Sequence, residues 1–155
     1  MMQVDLFDLR DDDLAVMCDC IRPMDRFEFD VMSGGKQIDE CFNRLRRRSV
    51  RARAAYADGE LVSVYGVLAP TLMAESGNPW LAATPAVDRP DVRREFIRYT
   101  EREMTWLSEG FQHLWNLVSH ENQAAIRWLK WVGFQFDDDL IDVRGHPFRR
   151  FSMGE

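Results

Sequence analysis

The stretch Leu114-Trp115-Asn116-Leu117-Val118-Ser119-His120-Glu121-Asn122-Gln123-Ala124-Ala125-Ile126-Arg127-Trp128-Leu129-Lys130-Trp131-Val132-Gly133-Phe134 decides the fold. Leu114 to Ser119 reads as a buried strand, a short apolar run with no helical period. Asn122 is placed to cap a helix over Gln123 to Trp131 or Val132, because its side-chain oxygen can accept a free first-turn amide. Ala125, Trp128, Leu129 and Val132 give that helix one apolar face. Gly133 ends it, and Phe134-Gln135-Phe136 opens another strand. Trp128 and Trp131 are three residues apart with Leu129 between them on the apolar side, so one indole is expected at the surface, as a protein contact or as incomplete burial.

Upstream of this unit, Asp91 starts the longest helical pattern, running to about Glu109, with Val92, Phe96, Thr100, Met104 and Leu107 along one face. Pro85 and Pro90 break the chain before it. Trp80 to Thr84 reads as a short strand, and Pro70 to Pro79 as a turn or excursion. Val50 to Tyr56 and Leu61 to Leu68 flank Asp58-Gly59, a strong hairpin signal. Gln37 to Arg48 is helical, burying Ile38, Cys41, Phe42 and Leu45. Asp5 to Met17 reads as a short strand and then a helix, with Asp11, Asp12 and Asp13 in the electropositive first turn. Pro23 stops or bends that segment, Phe27, Phe29 and Val31 follow, and Gly34-Gly35 marks a turn. Downstream, Asp137-Asp138-Asp139 and Gly145-His146-Pro147 read as surface between strands, with a last strand around Phe148 to Met153. The order is helix, helix, hairpin, strand, helix, strand, helix, strand, strand, which is one α/β domain over residues 1–155.

Composition fits a globular domain. Of 155 residues, 46% are hydrophobic and 30% charged, enough to bury roughly two thirds of the extended chain's surface without a disulfide or metal staple. No apolar run approaches the ~20 residues that span a bilayer. The N-terminus has no basic region followed by an apolar core, so a cytoplasmic location, or a particle assembled in the cytoplasm, is expected. Cys18, Cys20 and Cys41 have neither zinc-like nor redox-motif spacing, and no metal is expected. The net charge of -6 disfavours a nucleic-acid binder. It is unevenly placed, however: residues 44–53 hold six arginines, at positions 44, 46, 47, 48, 51 and 53. These are either a phosphate grip or a solvated helix face.

The residues Val118, Asn122, Ala125, Ile126, Gly133 and Phe134, lying between one strand and the next, resemble the second half of the GCN5-related N-acetyltransferase (GNAT) fold. The order of the upstream elements resembles that family too. The resemblance implies an α/β, GNAT-like (acyl-CoA N-acyltransferase) fold, with a central mixed sheet and helices on both faces. Asn78-Pro79-Trp80-Leu81, Leu114-Trp115-Asn116, Ile126-Arg127-Trp128-Leu129-Lys130 and Pro147-Phe148-Arg149-Arg150-Phe151 resemble, more narrowly, small GNAT-like phage proteins that include an internal virion protein of short-tailed coliphages.

The resemblance implies acetyl-CoA or CoA as cofactor, with an acyl group passed to an amine. Thr84, Arg89, Arg93, Arg94, Val118 and Asn122 are then the candidate cofactor contacts. His120 and Glu121, at the end of the Leu114 to Ser119 strand, are the candidate catalytic groups, since amine acylation needs a proton acceptor near neutral pKa. His113, Glu75 and His146 are weaker candidates for that role. Two departures stand against normal cofactor use. The segment from Thr84 to Arg94 has no glycine, while Pro85 and Pro90 each remove an amide donor from the expected pyrophosphate cradle. Leu129 stands where many family enzymes carry a proton-donating Tyr. The alternative is therefore a non-catalytic phage protein serving the virion, its assembly or ejection, or a host protein, and acting in the host bacterial cytoplasm or in the particle.

Overall fold

The structure, a computed structural model, describes residues 1–71 and 73–154. Among these residues the chain forms β1 (Val4–Asp8), α1 (Asp11–Cys20), α2 (Pro23–Ser33), α3 (Ile38–Arg48), β2 (Ser49–Ala57), β3 (Glu60–Leu68), β4 (Ser76–Ala83), a 3₁₀ turn (Pro85–Asp88), α4 (Pro90–Ser108), β5 (His113–Ser119), α5 (Gln123–Val132), β6 (Gln135–Val143) and β7 (His146–Gly154). The strands make one mixed sheet in the order β1-β2-β3-β4-β5-β7-β6. Every neighbouring pair is antiparallel except β4 and β5, which are parallel.

Two elements differ from the sequence-based expectation, and a third adds to it. The Phe27, Phe29, Val31 stretch is a helix: Pro23 takes its first turn with Asp25 beside it, and Gly34 closes it in the left-handed conformation at φ 75°. Its alternating aromatics imitate strand periodicity, but Phe29 packs edge-to-face on Phe42 at 5.3 Å while Phe27 packs on His146 at 5.1 Å, so they serve different neighbours. Secondly, β4 begins at Ser76, earlier than expected, and so takes in Asn78 and Pro79; of the predicted excursion, Leu72 lies outside the described residues. Thirdly, Asp137-Asp138-Asp139 is inside β6, at an irregularity between Phe136 and Leu140 that pushes the triplet out of register.

The core is divided by the sheet. Leu14 and Met17 of α1 and Phe42 of α3 pack with Val64, Trp80 and Ala82. A second cluster joins Leu107 of α4 and Ile126 and Leu129 of α5 to Val67, Leu114, Val118 and Phe151. The start of α4 is seated by Val87 and Val92 against Val62 and Ala83. A polar anchor completes the α4 side. Glu103 accepts two hydrogen bonds from Arg53 at 2.9 Å and one from the Tyr65 hydroxyl at 2.6 Å, and Arg53 stacks on Trp106 at 3.7 Å. Burial together with that carboxylate pushes the Tyr65 phenol far above its ordinary value, so it remains a donor.

The feature that sets up a site is the β4–β5 joint. The two strands pair only at Ser76↔His113 and Gly77↔Leu114 and then diverge. At Gly77 a Cβ would stand 2.8 Å from Val67 Cγ2 and 3.1 Å from the Phe111 ring. Gly77→Ala is therefore expected to cost about 1–3 kcal/mol by overpacking the joint, read as a lowered urea midpoint with unchanged slope.

Candidate functional site

Beyond Gly77, strands β4 and β5 face each other across an opening, and each turns unpaired backbone groups toward it. Buried backbone groups need partners, and four side chains supply them. Asn78 Nδ2 donates to the Trp115 carbonyl at 2.9 Å, and Asn116 Nδ2 donates to the Pro79 carbonyl at 2.8 Å. Pro79 is tolerated within the sheet because the side of β4 that lacks its N–H faces this opening, where β4 behaves as an edge strand.

The wide end is closed by α2, which spans both arms. Asp25 accepts the Ala83 N–H of β4 at 2.8 Å and is gripped by Arg22, whose own N–H donates to the Ala83 carbonyl at 2.9 Å. One helical turn later, Glu28 accepts the Ser119 N–H of β5 through Oε2 and the Asn122 side-chain N–H through Oε1, each at 2.8 Å. The i, i+3 spacing of Arg22, Asp25 and Glu28 places all three along one side of α2. Burial pushes the Glu28 carboxyl up to about 7, against the lowering effect of its two hydrogen bonds. Burial also raises Asp25, partly offset by Arg22 and the Ala83 amide.

The helix start expected to hold an anion is also internally occupied. Thr84 is buried; its hydroxyl donates to the Leu61 carbonyl at 2.9 Å and accepts the Ala86 N–H at 3.3 Å. The Val87 and Arg89 amides donate to the Thr84 and Ala86 carbonyls, Val92 N–H donates to Asp91 Oδ1, and Pro90 has no N–H. Asp88 receives Arg22 at 3.5 Å and Arg93 at 3.3 Å, and Arg89 pairs with Glu60 at 2.8 Å. Arg94 is exposed, with no ion pair among the described residues. The α4 start does not fit a pyrophosphate, because most of its amides have partners within the chain and Asp88 and Asp91 stand beside them. In the opening, the Pro79, Ala83, Trp115 and Ser119 groups are partnered, whereas the alternating positions Leu81 on β4 and the Leu117 carbonyl on β5 face it without a partner among the described residues.

The other candidates fall around the end of β5. Val118 is core, packed with Ile126 and Leu129. Asn122 caps α5, accepting the Ala125 N–H at 3.3 Å, while its amide nitrogen is committed to Glu28. His120 donates its backbone N–H to the Pro147 carbonyl at 2.9 Å, and its ring Nδ1 is buried with no partner among the described residues. Glu121 is exposed, and its backbone N–H donates to Ser119 Oγ at 3.2 Å. His120 and Glu121 thus adjoin Ser119 and Asn122, whereas Thr84, Arg89, Arg93 and Arg94 lie at the far arm. Asp25, Glu28, Asn78 and Asn116 are the residues that sequence reasoning passed over. Pro23 followed by Asp25, a helix-start pattern, was the available signal for the first two.

Because folding raises the Glu28 pKa, its ionisation opposes the native state. The contribution is fully favourable below the ordinary value of 4.5 and is lost as pH rises through about 7. The expected loss is roughly 2–3 kcal/mol across that window. Glu28→Gln should flatten it, which urea unfolding of both proteins at pH 5 and pH 8 would check.

The fold has solved relatives of nearly equal length. A spermidine N-acetyltransferase from Vibrio cholerae, solved with CoA and spermine, superposes with a TM-score of 0.67 at 16% identity, covering 98% of this chain and 95% of that one. The spermidine/spermine N-acetyltransferase of the same organism, solved with manganese ions, gives 0.62 at 16% identity over 98% and 92%. A point variant of the Vibrio cholerae spermidine enzyme gives 0.68 at 15% over 98% and 94%. These likenesses establish the α/β GNAT-like fold, with its central mixed sheet flanked by helices. No curated protein matches the chain by sequence. Residues 63–141, just over half of the chain, match the family model described as "Bacteriophage T7, probable scaffold protein Gp13", and the chain belongs to that family.

Proposed function

We propose that this chain is a phage assembly protein that uses the GNAT-like fold as a structural and binding body, without acyl transfer. The observation that carries the reading is the internal partnering of the α4 start and of part of the β4–β5 opening. Asn78, Asn116, Asp25 and Glu28 hold the Trp115, Pro79, Ala83 and Ser119 backbone groups that diverging strands would otherwise offer a ligand. The α4 start supports it, since Pro90 lacks an amide and the Ala86, Val87, Arg89 and Val92 amides are spent within the chain. Membership in a family described as a probable scaffold protein points the same way. The site of action is then the infected host's cytoplasm and the assembling particle.

A second reading, transfer of an acetyl group from acetyl-CoA to an amine, has one specific observation in its favour: the fold over nearly the whole chain is that of an acetyltransferase solved with CoA. In that reading Arg94, without an ion pair among the described residues, is the cation at the α4 start, and His120 and Glu121, on the other arm, are the proton acceptors.

Calorimetry with CoA and with acetyl-CoA at near-millimolar concentration separates the two. The expected result is no heat and no change in the thermal midpoint; saturable binding in the micromolar range would overturn the assembly reading. Mass spectrometry of purified procapsids and virions is expected to find the chain in at least one of them, and its absence from both would count equally against that role.

A further inference from the structure

Trp131 is 61% exposed, the indole that the spacing of α5 leaves outside the core. One turn back, Trp128 of α5 meets Phe96 of α4 at 5.6 Å, so the two helices run side by side there. Next to Phe96, Ile97 is 39% exposed. Ile97 follows Phe96 on α4 and Trp131 lies three residues after Trp128 on α5, so both stand exposed beside that contact. Arg94 and Arg127 are exposed on these helices and enter no ion pair among the described residues. The face is thus aromatic and aliphatic in the middle and cationic at its edge, the composition of an interface centre with a charged rim.

The same chain carries a surface of opposite sign. On β6 the irregularity after Phe136 thrusts Asp137, Asp138 and Asp139 outward, followed by Leu140, which is 53% exposed. Asp137 is partly neutralised by Arg150 at 3.9 Å, whereas Asp138 and Asp139 enter no ion pair among the described residues. β6 is an outer strand of the sheet. Its register break and three like charges oppose edge-to-edge strand addition, so a partner must engage it through side chains.

We infer that two copies of this chain dock through these surfaces, with Leu140 of one copy against Ile97 and Trp131 of the other, and Asp138 and Asp139 facing Arg94 and Arg127. An apolar residue preceded by two acids complements an apolar pair accompanied by two arginines, all four charges being without an ion pair among the described residues. Either surface alone would leave an exposed hydrophobe beside unpaired charge. Rim charges of this kind set encounter rate and salt sensitivity, while the apolar centre sets residence time. The inference rests on the assembly reading, because Arg94 is also a candidate cofactor contact; calorimetry with CoA tests that reading separately from self-association.

Sedimentation equilibrium across concentration and ionic strength tests it. At low salt the wild-type chain is expected to associate and to return towards monomer at high salt. Trp131→Ala and Leu140→Ser should each shift it to monomer with an unchanged circular dichroism spectrum. The decisive arm is charge exchange. Arg94→Glu/Arg127→Glu and Asp138→Arg/Asp139→Arg should each fail to self-associate alone, yet associate with each other when mixed. A wild-type monomer at all concentrations, association indifferent to these substitutions, or folded charge variants that do not complement on mixing would each overturn the inference.

Discussion

The parting of β4 and β5 is the constraint from which the rest of the structure follows. Two parallel strands that hydrogen-bond for two residue pairs and then separate expose a run of backbone donors and acceptors inside the fold. An unpaired buried backbone group costs about as much as a lost hydrogen bond with its desolvation, on the order of 1–3 kcal/mol each. Each such group favours a polar partner, from a ligand or from the chain itself. Here α2 fills the wide end, with Asp25 on one arm and Glu28 on the other, and two asparagines cross the narrower part. That solution explains why α2 is polar along one side and why a proline is acceptable in β4.

Filling the gap with carboxylates has an electrostatic consequence. Asp25 has Arg22 as counter-ion, but Glu28 has only neutral donors, the Ser119 N–H and the Asn122 amide, in direct contact. Both of its oxygens accept, so the geometry suits the ionised form, while burial favours the neutral one. Burial prevails and the carboxyl is pushed up to about 7. On the other side of the sheet, Glu103 is buried and is held by Arg53 and Tyr65 together. The contrast separates two kinds of anchor: α4 is pinned by a paired charge, whereas α2 is held by one paired carboxylate, Asp25, and one with neutral donors only, Glu28.

Much of this architecture is legible in the sequence where a local rule dominates. The 114–134 unit, α3, the Asp58-Gly59 hairpin and α4 each combine periodicity with a cap or turn residue, and the observed boundaries fall within a few residues of the reading. The failures share a cause. Phe27, Phe29 and Val31 look alternate because the three residues have different tertiary neighbours, which a pattern along the chain does not encode. Pro79 argues against a strand unless its neighbour is known to diverge. The contact between Glu28 and Ser119 spans 91 residues, so neither residue bears a local mark of it. Asn122 could be read as a helix cap, but its second bond, to Glu28, depends on the same distant closure.

The arginine cluster illustrates why such marks mislead function as well as fold. Of the six arginines between 44 and 53, Arg46 pairs with Asp11 and also reaches the Leu9 carbonyl, Arg51 satisfies the Leu107 and Glu109 carbonyls at the end of α4, and Arg53 anchors Glu103. Half of an apparent phosphate grip is thus engaged within the chain, and Arg46, Arg47 and Arg48, all exposed, sit in the last turn of α3, where positive charge complements the helix dipole. The cofactor-side residues follow the same logic in reverse. Thr84, Arg89 and Asn122 have the chemistry of ligand contacts, but each is already engaged by Leu61, Glu60 or Glu28. In a fold whose diverging strands demand polar partners, whether those partners come from within the chain or from solution separates a protein that is complete by itself from one built to hold a cofactor.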